Sequence, residues 1–307
     1  MISDQQLAHA LSQALQDDVT TLHPIGVPYG SNWVYGVATA TGQCYVVKQP
    51  KAIRENMSPF WQQMDGIFGI DCVTQLTVAR RVSALLQRQT IIPVAQVIHV
   101  EPAAPDLEAP FVVLTRLAGT DHEPDEFPDS EALHDQLGQY IGYLHTQSYP
   151  GYGNVLMEAL HPKTDFLAAT TAMMRQIIQR FWGDQAELHQ SLDDLLVTID
   201  ATALFSTANL IMIDISGNQF VYDQQHINGV VDLDTYVIGP REWELSIVEM
   251  CITQPAAFQR GYESYVAMPR FAPFRSFYRF WSFLNDPDDG YNTDRLRHFM
   301  QKSIHFA

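Results

Sequence analysis

What most limits the fold of this chain is a change of rhythm between residues 110 and 133. Before it, apolar residues mostly alternate; after it, they mostly recur every three or four positions. The segment "SNWVYGVATATGQCYVVKQP" (31–50) carries two alternating runs around "TATG" at 39–42, which predicts a β-hairpin. "IIPVAQVIHVE" reads as extended, and "PFVVLTRLAGT" (110–120) as a strand that opens at Gly119 into the acidic, Pro-bearing linker "DHEPDEFPD". Two helices interrupt this first part. Residues 3–16 place Leu7, Leu11, Ala14 and Leu15 on one face behind a Ser3/Gln6 capping box, and residues 73–88 do the same with Leu76, Ala79, Val82, Leu85 and Leu86. Beyond the linker, Leu133, Leu137, Ile141 and Leu144 follow a Ser130 N-cap, and further helices are expected over 164–182 and 185–198. Strands and loops return around 202–236, and from about 241 the chain is helical and aromatic. The expected class is α+β, with lobes at 1–116 and 117–307 and a hinge near 115–120.

The 307 residues are 46% hydrophobic, enough for a full core, and no run of 18 apolar residues suggests a transmembrane helix. The opening "MISDQQLAHALSQALQDD" lacks the basic start and apolar middle of a signal peptide. Cys44, Cys72 and Cys251 are far apart, at no metal or redox spacing, and are expected as reduced, small core residues. Together these imply a cytoplasmic protein. A net charge of −17, with no basic cluster beyond "KQPKAIR", argues against nucleic acid and anionic membranes as partners. A neutral or cationic small molecule is easier to accept.

Four segments carry chemistry. "PYGSNWVYGV" (28–37) leads from Gly30 and Ser31 into an alternating run, and a glycine there permits a tight turn. "YVVKQP" (45–50) ends a strand in Lys48. "PFVVLTRLAGT" leads into the hinge, and "GVVDLDTYVIGPREWEL" (229–245) carries Asp232 and Asp234. With "LGQYIGYLHTQ" and "GYGNV", these resemble the aminoglycoside phosphotransferase and choline kinase family. The resemblance implies a bilobal protein-kinase-like fold, with a small N-terminal lobe built on an antiparallel sheet and a larger, mainly helical C-terminal lobe. It further implies ATP or GTP and Mg2+ as cofactors, phosphate contacts from Gly30, Ser31 and Lys48, and metal ligation by Asn209 and Asp232. His145 is expected to be packed rather than catalytic. Asp234 alternates with Asp232 and is expected on the opposite face.

The family's catalytic loop has an Asp five residues before its metal-binding Asn. With Asn209 as that Asn, the base position is Leu204, and Asp200 lies too far away. The strand Lys of the family pairs with a helix Glu, yet between Glu55 and Glu101 there is none, and Gln75 offers no charge. The 23 positions from Asn209 to Asp232 imply an enlarged hairpin. The expectation is therefore a small-molecule phosphotransferase impaired by loss of its base, with its acceptor near the aromatics of 261–283. The alternative is a pseudokinase module that binds a nucleotide or metabolite, with a protein partner. Nucleotidyl transfer and a scaffold with an empty cleft are further readings.

Overall fold

The computed structural model describes residues 3–25, 31–51, 57–71, 74–102, 110–120, 127–157, 159–287 and 290–307. The first part of the chain holds α1 (Asp4–Leu15), β1 (Val19–Pro24), β2 (Asn32–Thr39), β3 (Cys44–Pro50), α2 (Pro59–Phe68), α3 (Gln75–Gln89), β4 (Val97–Glu101) and β5 (Phe111–Thr115). The second holds α4 (Glu131–His145), β6 (Gly151–Tyr152), β7 (His161–Pro162), α5 (Phe166–Phe181), α6 (Ala186–Thr198), α7 (Ala201–Leu204) and β8 (Ala208–Met212). It continues with β9 (Phe220–Tyr222), β10 (Ile227–Val230), β11 (Tyr236–Pro240), α8 (Arg241–Cys251), α9 (Pro255–Glu263), α10 (Arg275–Phe283) and α11 (Thr293–Gln301). The fold is α+β and bilobal.

The first lobe is an antiparallel five-stranded sheet in the order β1-β2-β3-β5-β4. The hairpin read from 31–50 is β2–β3, closed by Gly42 N–H donating to Thr39 O at 2.9 Å. Gly42 takes a positive φ of 83°, which the turn requires. The Ser3/Gln6 capping box is present on α1, whose Leu7 and Leu11 pack on Val37, Val47, Phe111 and Val113 across one face of the sheet. The other face joins the main core through Val112 and Leu114. Alternate residues of β5 thus enter different cores, as a strand's period of two requires.

The helical lobe is organised by α4, which starts at Ser130 as read from sequence and crosses α9 at close range. A Cβ at Gly138 would lie 2.1 Å from Phe258 O, and one at Gly261 2.0 Å from Asp135 O, so the two backbones touch. Most aromatics of 261–283 form core: Phe271, Phe274, Phe277, Tyr278, Phe280, Trp281 and Phe283 are all buried, while Tyr265 is exposed. These buried rings pack against one another and leave no acceptor site among themselves. Of the cysteines, Cys44 is exposed rather than core, Cys251 is partly buried, and Cys72 lies outside the described residues.

Short strands of the second lobe present the loops that face the sheet. β8 pairs with β11, and β9 with β10. The β9–β10 turn is tied by Asp223 Oδ1, which accepts from the backbone of Gln225 and His226.

α2 is not anticipated by the sequence reading. It starts with a Ser58 cap and Pro59 and buries Trp61, Met64, Ile67 and Phe68. Although it lies between β3 and α3, it docks on the helical lobe. Gln63 Nε2 donates to Asn285 Oδ1 at 2.7 Å, Asn154 Nδ2 donates to Phe68 O at 2.8 Å, and Gly66 backs directly onto Met173 of α5.

Candidate active site

A cavity of about 680 Å3 lies between the lobes. Its apolar walls include Val34, Val46 and Leu114 from the sheet and Val221 and Val231 from below. The hinge, Thr115 to Gly119, lines one side. Gly119 has a φ of 133°, and a Cβ there would meet Tyr222 O at 2.9 Å, so the hinge lies flat on β9 only because this residue is glycine.

Lys48 enters from β3, where it pairs in register with Val34 and Val112. Its ammonium lies 2.5 Å from Asp232 Oδ1. Burial works against the charge on Lys48, but Asp232, then Asp234 and Asp214, hold its pKa above the ordinary lysine value. Burial likewise opposes ionisation of Asp232, and the Lys48 charge overcomes it, so that carboxyl sits below the usual range. Asp234 goes the other way: burial, then the neighbouring Asp232 charge, push it well above an ordinary carboxylic acid. Asn32 Nδ2 donates to Asp234 Oδ2 at 2.9 Å.

Asp234 therefore shares the cavity with Asp232, contrary to the alternation expected from sequence. The reason is local: β10 ends at Val230, and residues 231–235 form a turn to which a strand's period does not apply. Position 48 finds no acid on α3 among the described residues; Leu76 and Ala79 of α3 lie beside Lys48 instead. Ser31 lines the cavity, while Gly30 lies outside the described residues.

Asn209 is placed differently from the expectation. It is fully buried on β8, opposite Gly239. Its Nδ2 donates to His145 O at 3.0 Å and to Gln147 O at 2.6 Å, and its Oδ1 accepts from Thr207 at 2.8 Å. The side chain ties the end of α4 to β8 and does not line the cavity. Leu204, the expected base position, is also buried outside the cavity lining, its carbonyl accepting from Tyr278 Oη at 2.7 Å. His145 is packed as expected, with Nδ1 2.9 Å from Tyr262 Oη and Nε2 2.8 Å from Glu244 Oε2.

Two residues that the sequence reading passed over do line the cavity: Asp214 and Gln219. They stand at the two ends of the loop after β8, with Gln219 closing a 3-10 turn over Gly217–Gln219. This loop is tied to the Asp232–Asp234 turn twice, by Ile213 N–H to Thr235 O at 3.3 Å and Val231 N–H to Gln219 O at 3.0 Å. The signal was present in the sequence. Gln219 follows Asp214 by five residues, the family spacing, once a Gln is allowed where an Asn was sought. The 13 positions from Gln219 to Asp232 then need no enlarged hairpin.

Among the described residues, no group of three or more His, Cys, Asp or Glu is arranged to hold a metal. The oxygens of Asp232 and Gln219 still suit a hard cation that takes its remaining ligands from phosphates and water, as Mg2+ does.

A five-stranded lobe over a helical lobe, with a hinge and a Lys–Asp pair in the cleft, is the architecture of kinase-like phosphotransferases. Residues 31–274 match the phosphotransferase enzyme family, and the chain belongs to it. Solved structures share the fold over nearly the whole chain. One is a protein of Ralstonia eutropha jmp134 assigned as an aminoglycoside phosphotransferase (TM-score 0.65, 12% identity, covering 98% of this chain and 97% of that one). Another is spectinomycin phosphotransferase with ADP and spectinomycin (0.62, 15%, 97% and 93%). A third is the macrolide 2′-phosphotransferase of Brachybacterium faecium (0.55, 13%, 96% and 91%). No curated protein sequence matches the chain. No described helix is long and apolar enough to cross a membrane.

Proposed function

We propose that this protein transfers a phosphoryl group from Mg-ATP or Mg-GTP to the hydroxyl of a small molecule, with Asp214 as the base. The observation that carries the reading is that Asp214, Gln219 and Asp232, on two loops pinned to each other by backbone hydrogen bonds, line one cavity with Lys48 of β3. Family membership supplies the reaction class, and the spectinomycin phosphotransferase solved with ADP supports a nucleotide in this cleft.

Phosphoryl transfer needs positioning and neutralisation of charge more than covalent help. Lys48 holds phosphate oxygens. Asp232 and Gln219 are the oxygen donors for magnesium, which when bound neutralises charge on the phosphates. The acceptor oxygen forms a bond to the γ-phosphorus while its proton passes to the Asp214 carboxylate. The bond from that phosphorus to its bridging oxygen breaks, and the nucleoside diphosphate leaves with the electron pair. Leu204 then has no bearing on catalysis, because the base it was thought to replace stands at Asp214.

The second reading, a pseudokinase, draws on the direct Lys48–Asp232 contact and the lack of a described acid on α3. One experiment separates the two. Thermal shift with Mg-ATP and Mg-GTP reports binding, since a ligand of the native state raises the melting point. Nucleoside diphosphate release then reports turnover. Binding with turnover that is lost in Asp214→Asn supports the phosphotransferase; binding with no turnover over a broad acceptor panel supports the pseudokinase.

A further inference from the structure

Two side-chain bonds run from the sheet to the turn at 231–235. Lys48 of β3 meets Asp232, and Asn32, the first residue of β2, donates from Nδ2 to Asp234 Oδ2 at 2.9 Å. The second bond is buried, with Asn32 8% and Asp234 3% exposed, and its partners lie 202 positions apart in the chain. The residue that leads into the turn is held by backbone. Val230 O accepts from Ala95 N–H at 3.1 Å, and Val230 N–H donates to Pro93 O at 3.0 Å, where the chain passes from α3 to β4. Residues 230, 232 and 234 therefore each bind the first lobe. The bonds of Val231 to Gln219 and of Ile213 to Thr235 fix the same turn to the loop that carries Asp214.

The two side-chain bonds differ in what a nucleotide does to them. The Lys48–Asp232 contact occupies groups that phosphates and magnesium draw on in the proposed reaction. The Asn32–Asp234 bond uses neither group and lies within the wall, so it persists with the cleft filled. It also sits where alignment matters. Asn32 directly follows Ser31, which lines the cavity and whose carbonyl accepts from Lys51 N–H at 3.0 Å. In register it faces Pro50, two residues beyond Lys48. The strand ends that bear Ser31 and Lys48 thus share this tie to the helical lobe.

We infer that Asn32 is a positioning residue: its bond to Asp234 keeps the Ser31 end of β2 and Lys48 in place over the Asp214–Gln219 loop after the nucleotide has taken over the Lys48–Asp232 contact. Asn32 acts through Asp234 and the strand, not by touching substrate. The inference rests on the phosphotransferase reading and adds to it the tie that aligns the transferred phosphoryl group with Asp214. Small misplacements of reacting groups are costly in rate, so a bond remote from the chemistry shows in turnover.

The test compares the wild type with Asn32→Leu, Asp234→Leu, the double variant, Asn32→Ser and Asp234→Asn. The measurement is release of nucleoside diphosphate at saturating Mg-ATP or Mg-GTP, below each melting point, with water, glucose, choline and kanamycin as acceptors. Leucine keeps the bulk and removes the bond. Serine is a milder change that falls short of Asp234, and asparagine at 234 keeps an oxygen for Asn32. The expected result is a kcat about tenfold lower in Asn32→Leu, Asn32→Ser and Asp234→Leu, the loss of one hydrogen bond from the transition state. The double variant loses no more than the worse single one, because the two residues act as a pair. The KM for nucleotide stays within about threefold, and Asp234→Asn keeps its kcat within about threefold of the wild type. A bond that only stabilises the fold would lower the melting points and leave the kcat of the folded variants unchanged; that result overturns the inference. Losses that add in the double variant, or a fall in Asp234→Asn as large as in Asp234→Leu, also overturn it and leave the phosphotransferase reading standing. A wild type that binds no nucleotide, or binds it and releases no diphosphate with any of these acceptors, overturns that reading and this inference together.

Discussion

The ammonium of Lys48 and the carboxylate of Asp232 stand 2.5 Å apart across the cleft, one from the sheet and one from the loops below. Each holds the other in its charged form against the effect of burial. In many kinase-like folds the lysine is braced by an acid on the neighbouring helix; here α3 offers Leu76 and Ala79 at that place, and Asp232 is the brace.

Lys48→Met removes this brace and leaves Asp232 partly buried without its counter-ion. The melting-point rise with Mg-ATP or Mg-GTP should disappear. Stability at neutral pH should fall toward the lower end of the ~3–5 kcal/mol typical of breaking a buried pair, because both side chains keep some exposure. Urea unfolding with and without nucleotide measures both.

Asp214→Asn keeps the size of the side chain and removes the carboxylate proposed as the base. Turnover should drop by about 10²–10⁴-fold, while the thermal response to Mg-nucleotide persists. A variant as active as the wild type would remove Asp214 from the mechanism.

Asn209→Leu distinguishes the tie between α4 and β8 from a metal ligand. The carbonyls of His145 and Gln147 lose their donor, and each such loss costs about 1–3 kcal/mol when buried. The melting point should fall, whereas the Mg2+ concentration giving half-maximal activity should stay put. A large rise in that concentration would return Asn209 to the metal site.

Asp234→Asn should alter the pH dependence of stability. The folded protein holds a proton on Asp234 above 3.8, where the unfolded chain releases it. This group therefore lowers stability as pH rises from 3.8 toward its folded value. Asparagine keeps an oxygen for Asn32 and has no proton to lose, so the variant should gain on the wild type progressively over that window. Denaturant melts from pH 3 to pH 8 follow the difference.

Glu249 fastens the C-terminal segment. Buried on α8, it takes Arg275 and Arg279 as partners and accepts from the backbone of His305 and Phe306. Burial opposes its ionisation, yet these donors, Arg275 first, hold it below 4.5, so its contribution is present above 4.5 and is lost as pH falls through its lower folded value. Glu249→Ala should cost about 3–5 kcal/mol and speed amide exchange over residues 302–307.

Much of the fold was legible because it follows local rules. The Ser3/Gln6 box, the β2–β3 turn and the Ser130 cap each announce an element through residues within four positions. Lys48 and Asp232 were legible for a similar reason: each is a charged residue that directly follows an apolar pair, Val46–Val47 and Val230–Val231. The loop after β8 was misread because one Asn was used to set the whole register, and Asn209 is a residue whose amide serves the core. No local property separates a buried structural amide from one facing a cleft; only the strand pairing with Gly239 does. Asp234 was misplaced by extending a strand's alternation past Val230. The aromatics of 261–283 were offered as a ligand site, yet their helical spacing was already the pattern of a core. α2 escaped notice because it is short and carries Gly66 in its interior, and because its partners, Met173 and Asn285, lie more than a hundred residues away.

The docking of α2 also makes the hinge a poor place to divide the protein. A cut near residue 116 would carry α2 off with the sheet, stripped of the surface that shapes it, and would uncover Met173 and its neighbours on α5. Each half would then display a greasy scar where the other had been, so neither is expected to survive alone in solution.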